Sequence, residues 1–97
     1  MEIKQTALAG TVESSDIQIM LSKGNDGIQI DLESDVEKQF GKQIRQVITQ
    51  TLQAFELTDV KVKAVDKGAL DCVIKARTIA AAQRALSTQD QPAWEVL

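Results

Sequence analysis

The sequence contains no histidine. Ser-His-Asp and Cys-His catalytic arrangements are therefore excluded. Cysteine occurs once, at Cys72, so no intramolecular disulfide forms and a zinc site built from several Cys and His ligands is out of reach. The five glycines are scattered and form no phosphate-cradling pattern. Aspartates near Gly27 (Asp26, Asp31) lack the spacing of a calcium loop. Aromatic residues make up only 3%, so a core must be assembled from Ile, Val, Leu and Ala. Basic residues do not cluster and the net charge is −3, which argues against a nucleic-acid partner. No apolar run approaches the ~20 residues of a membrane span. No basic segment followed by an apolar one opens the chain, so the expectation is a cytoplasmic protein without a signal peptide or membrane partner.

What is present reads as strands around one long helix. Residues 3–12 suggest a weak strand with Leu8, Gly10 and Val12 on one face. In residues 17–22, Ile17, Ile19 and Leu21 alternate with Gln18, Met20 and Ser22, the period of a half-buried strand. Lys23 to Gly27 has turn chemistry, and Ile28, Ile30 and Leu32 alternate beyond it, so a hairpin is the expected connection. Ser34 with Glu37 three residues on has the form of a capping box. After it, Val36, Phe40, Ile44, Ile48, Leu52 and Phe55 recur at helical spacing, which predicts an amphipathic helix over 35–56 with Gly41 inside. Val60, Val62 and Ala64, then Leu70, Cys72 and Ile74, predict a second hairpin turning at Asp66 to Ala69, which would bury Cys72 as an inert thiol. Arg77 to Leu86 is Ala-rich and predicts a short helix. Residues 88–97 read as a C-terminal tail whose Trp94, Val96 and Leu97 either dock a partner or fold back onto the core. The expectation is one α+β domain over residues 1–97. It has a small antiparallel sheet of four to five strands, packed against the long helix and the short C-terminal one.

Between the first two strand-like runs lies Gly10-Thr11-Val12-Glu13-Ser14-Ser15-Asp16. It is a polar interruption with paired serines flanked by acids. Serines in such turns usually bond their own backbone. The alternative is that one of them presents a covalently attached group, and composition alone leaves Ser14 and Ser15 equivalent. A chain with no histidine is poorly placed to catalyse, and presenting a group asks for no catalysis.

Several longer stretches bear on this choice. They are Met1 to Thr11, then Glu13-Ser14-Ser15-Asp16, Gln39-Phe40-Gly41, Gln43-Ile44-Arg45, and Asp66-Lys67-Gly68-Ala69-Leu70-Asp71-Cys72. Through them the chain resembles the acyl carrier subunit, the gamma chain, of bacterial citrate lyase, with the likeness thinning after about Leu86. The resemblance implies a non-catalytic carrier. It implies that Ser14 holds a phosphodiester-linked phosphoribosyl dephospho-coenzyme A, whose thiol carries acetyl and then citryl as thioesters. It further implies a hetero-oligomer with an alpha (transferase) and a beta (lyase) subunit, which together cleave citrate to acetate and oxaloacetate, and a separate attaching enzyme. Fatty-acid acyl carriers differ, using an Asp-Ser-Leu signature at a helix start. A carrier subunit of malonate decarboxylase is the related alternative, and an α+β interaction adaptor is the alternative from another class. With Ser14 as attachment point, the expectations are an exposed hydroxyl at a loop or strand end, and Glu13 and Asp16 either repelling the arm's phosphates or serving as contacts for the attaching enzyme.

Overall fold

The computed structural model describes residue 3, residues 5–34 and residues 37–86, with the side chains of residues 37–39 excepted. The order of elements is β1 (Ala7–Gly10), β2 (Ile17–Lys23), β3 (Ile28–Ser34), α1 (Glu37–Ala54), β4 (Val60–Asp66) and α2 (Asp71–Ala85). The α+β class holds, with four strands in one sheet ordered β1-β2-β4-β3. Two ladders are antiparallel, β1 with β2 and β2 with β4, and the third, β3 with β4, is parallel. The sheet is therefore mixed, not antiparallel throughout. The expected β2–β3 hairpin does not form, because β4 lies between the two strands. A parallel pair needs a crossover of a dozen or more residues, and α1 supplies it between β3 and β4.

Register stacks the core in rows. Ala9, Ile19, Ala64 and Leu32 lie side by side, and Ala7, Leu21, Val62 and Ile30 form the next row. Both helices cover this face, with α1 against β3 and α2 against β1 and β2. From α1 the residues Ile44, Ile48 and Leu52 are buried, as the helical stripe predicts, whereas Phe40 on the same stripe is 49% exposed. The first strand is shorter than expected and turned over. Ala7 and Ala9 face the core and Leu8 faces out. The Ala-rich side of α2 (Ala81, Ala82, Ala85) is buried in the same cluster. Small residues on both surfaces let helix and strand approach closely.

Residues 70–75 are not a strand. Leu70 is the N-cap of α2, and Val73 and Ile74 donate their N–H groups to its carbonyl at 2.9 and 3.0 Å. Cys72, expected to be buried, is exposed on the first turn of this helix. Of the alternating trio only Ile74 enters the core, in a helical stripe that continues through Thr78, Ala82 and Ala85. Thr78 is fully buried and satisfies its hydroxyl on the Ile74 carbonyl at 2.8 Å. Among the described residues no helix is long and apolar enough to cross a membrane. The tail over 88–97 and the Glu37 side chain of the capping box lie outside what is described.

Candidate functional site

The sheet row that ends the core carries polar residues. Asp66, the last residue of β4, sits beside Ile17 and Ser34 and is 1% exposed. Its carboxylate accepts from the Ser34 hydroxyl at 2.9 Å and from the Ala69 N–H at 3.0 Å. Both bonds are charge-assisted, which lets a carboxylate remain buried. They also fix the start of the loop from Lys67 to Leu70.

That loop grips the 11–16 turn from below. The Ser15 N–H donates to the Lys67 carbonyl at 2.7 Å, and the Lys67 N–H donates to the Asp16 carbonyl at 2.9 Å. Within the turn, the Asp16 N–H donates to the Glu13 carbonyl at 3.1 Å. Ser15 has φ +66°, so it carries the left-handed kink that reverses the chain into β2. Asp16 is the centre of the arrangement. Its Oδ1 accepts from Arg77 Nε at 3.1 Å and from the Ile17 N–H at 2.7 Å. Its Oδ2 accepts from Arg77 Nη2 at 3.1 Å and from the Thr11 hydroxyl at 2.7 Å. The bidentate pair joins the turn to α2 across 61 residues of sequence.

Ser14 stands at the outer end of this turn and is exposed. Among the described residues neither its hydroxyl nor its main chain takes part in a hydrogen bond. Ser15 is exposed too, but its backbone is committed to Lys67 and to the left-handed kink. The frame is held firmly while the Ser14 hydroxyl stays unengaged. Sequence reasoning had no access to the Arg77 contact, since a lone arginine on a helix face carries no signal of its partner. Among the described residues no group of His, Cys, Asp and Glu suited to a metal ion occurs.

A family model described as malonate decarboxylase delta subunit matches residues 4–85. Citrate lyase acyl carrier proteins of Oenococcus oeni and Lactiplantibacillus plantarum are 74% and 75% identical to the chain over 97 residues, the full length of both partners in each comparison. The chain belongs to the citrate lyase acyl carrier protein family. The family member of Lactococcus lactis is 59% identical over the same span. As an acyl carrier protein the chain is a carrier subunit, not a catalytic one, and carriers of this family hold a covalently bound prosthetic group. The fold is shared with a chain from the crystal structure of a Pseudomonas malonate decarboxylase hetero-tetramer in complex with malonate. The TM-score is 0.75 over 88% of each chain, at 19% identity.

In this acyl carrier protein the two acids of the turn are not alike, which corrects the expectation of a doubly repulsive turn. Glu13 is exposed, whereas the Asp16 side chain keeps 14% of its surface and is neutralised by Arg77. The Arg77 guanidinium, then the Thr11 hydroxyl and the Ile17 N–H, hold the Asp16 carboxyl from 3.8 down to about 2. A carboxyl depressed in the folded state adds stability above its unfolded value and loses it as pH falls through the folded one. The Asp16 contribution is thus complete above about pH 4 and fades toward about pH 2. Asp16→Asn is expected to melt lower at neutral pH and to lose part of the slope of melting temperature between those limits. Thermal melts followed by circular dichroism across that range check this, and identical slopes for the two proteins would remove the clamp from the account.

Proposed function

We propose that Ser14 is the attachment residue of this carrier, bound through its Oγ by a phosphodiester to phosphoribosyl dephospho-coenzyme A. The observation that carries the proposal is the exposed, unbonded Ser14 hydroxyl on a turn fixed at Asp16 and Lys67. Attachment chemistry needs an oxygen that an attaching enzyme can reach, on a backbone that does not yield when the group is pulled between sites. The bound group supplies a thiol that carries acetyl and citryl, and the protein supplies attachment and position. In this reading the chain works in the cytoplasm within a hetero-oligomer. A transferase (alpha) subunit and a lyase (beta) subunit take turns at the tethered group, which remains at an effective concentration of order mM. Full-length identities of 59–75% to citrate lyase carriers support citrate as the substrate of the complex, ahead of malonate.

Intact-mass measurement after co-expression with the attaching enzymes tests the proposal. The wild type is expected to gain the mass of the group, and Ser14→Ala is expected to gain none. A wild-type chain that stays bare, beside a relative loaded by the same enzymes, would refute it.

A further inference from the structure

Beside the turn lies a cleft of ≈ 560 Å³ between the first half of α1 and the loop from Gly68 to Leu70. Small-molecule pockets span about 300–1,000 Å³. Its apolar walls are Phe40, Ile44, Ala69, Leu70 and Ile74. Phe40 and Leu70, at 49% and 71%, belong to the few large apolar side chains left exposed among the described residues. The polar groups among the described lining residues are Gln43, Asp66 and Asp71, and none of those residues is a cation. Gln43 Nε2 donates to Asp71 Oδ2 at 2.7 Å, which leaves the Gln43 side-chain carbonyl and the other Asp71 oxygen as acceptors.

Ser14 is close to this cleft. Ser15 is bonded to Lys67, and Lys67 leads straight into Gly68. At ~3.8 Å per Cα step the path from Ser14 to the cleft wall is roughly 10–15 Å, shorter than the extended arm. We propose that the cleft seats the uncharged pantetheine end of the carrier's own arm, an inference that rests on Ser14 being its attachment point. The chemistry of the lining selects that segment. Pantetheine has apolar methyl groups for the walls and two amide N–H donors for an acceptor-rich rim. Phosphates and carboxylates would meet Asp66 and Asp71, with no cation among the described lining residues to offset them. Asp66 and Asp71 therefore turn away the phosphoribosyl end, and Phe40 and Leu70 cover the thiol end between transfers. Binding need not be tight. With a tethered concentration of about 1 mM, an intrinsic dissociation constant of about 0.25 mM would seat the arm four-fifths of the time. That protects the thiol about fivefold and still releases it readily.

The test uses full-length carrier loaded by its attaching enzymes, in a Cys72→Ser background so that the arm holds the only thiol. Intact mass first establishes loading, so a bare chain is recognised as failure of the Ser14 assignment. On loaded protein, two readouts follow. Amide and methyl NMR shifts between bare and loaded forms are expected at Phe40 and Gly68 to Asp71 as well as in the turn. The rate of thiol alkylation by iodoacetamide, an uncharged probe, is expected to rise about fivefold in Phe40→Ser and in Leu70→Ser. Both side chains are substantially exposed, and serine is a better N-cap than leucine at position 70, so folding is spared. Shifts confined to residues 11–16, with equal alkylation rates in all three proteins, would overturn the proposal. So would unchanged rates together with loss of turnover only when the catalytic subunits are added, since the cleft would then be a surface for those subunits.

Discussion

Ser14→Ala is expected to give a folded carrier that supports no turnover. The Ser14 side chain is exposed and makes no hydrogen bond among the described residues, so its removal should change stability by no more than about 0.5 kcal/mol. The effect on the complex is of another order. With Ser14 as the proposed attachment residue, loss of Oγ removes the tether, and each acyl transfer would have to recruit free thiol from solution. Well-oriented intramolecular steps outrun their bimolecular counterparts by very large factors, so a loss of at least about a thousandfold in citrate cleavage is expected. Ser15→Ala is the control. Its backbone N–H still reaches Lys67, its kink persists, and Ser14 remains where the attaching enzyme finds it, so loading and turnover should survive. Melting curves, intact mass and turnover in the reconstituted complex read these outcomes together. Loading retained in Ser14→Ala and lost in Ser15→Ala would move the assignment by one residue.

The turn that carries this prediction was visible in the sequence, but its construction was not. Its boundaries follow from Gly10 and from the sudden run of small polar residues before the alternation that begins at Ile17. What holds it is tertiary. Arg77 lies 61 residues from Asp16 and on a helix, and Lys67 grips Ser15 through backbone atoms that have no side-chain signature. An acidic pair read as free charge thus became one clamped carboxylate and one exposed one.

The same division runs through the fold. Ile17-Ile19-Leu21 and Val60-Val62-Ala64 alternate because one face is buried, and both are strands with that face inward. The α1 stripe is legible because Ile44, Ile48 and Leu52 are large and regularly spaced. Leu70-Cys72-Ile74 misleads for a physical reason. A helix N-terminus needs only one of the three inside, and on the buried face beyond it Thr78, Ala81, Ala82 and Ala85 outnumber Ile79, which leaves little apolar contrast. Strand order is the least legible feature. The loop over 24–27 is short enough for a hairpin, yet β4 displaces β3 from β2 because α1 returns it parallel to β3. Local spacing holds no information about which strand is inserted.

Gly10→Ala is expected to be the most damaging of the Gly→Ala changes at Gly10, Gly24, Gly27 and Gly68. Gly10 ends β1 at φ +87°, a conformation that costs an L side chain about 1–2 kcal/mol by itself. The added Cβ would also overlap the carbonyl oxygen of Ile17 and stand 3.2 Å from Arg77 Cδ. The oxygen belongs to the backbone of β2, next to the Gly10–Gln18 pair of the ladder, and has no rotamer to escape into. Relief requires pulling β1 from β2 at the point where the turn is anchored, which also shifts Arg77 from Asp16. Strain plus a displaced strand end should cost at least about 3 kcal/mol, a large share of the 5–15 kcal/mol typical of a domain. At about 4–8 °C per kcal/mol for a domain of this size, the melting temperature should fall by at least about 12 °C. Gly68→Ala separates the two causes. Gly68 has φ +91°, but a Cβ there meets nothing within 4 Å, so that variant pays the conformational strain alone. A twofold or greater difference in destabilisation between the variants is therefore expected in denaturant titrations. Equal losses would mean that β1 yields freely at Gly10 and that the turn bearing Ser14 is anchored by Asp16 and Lys67 without help from the first strand.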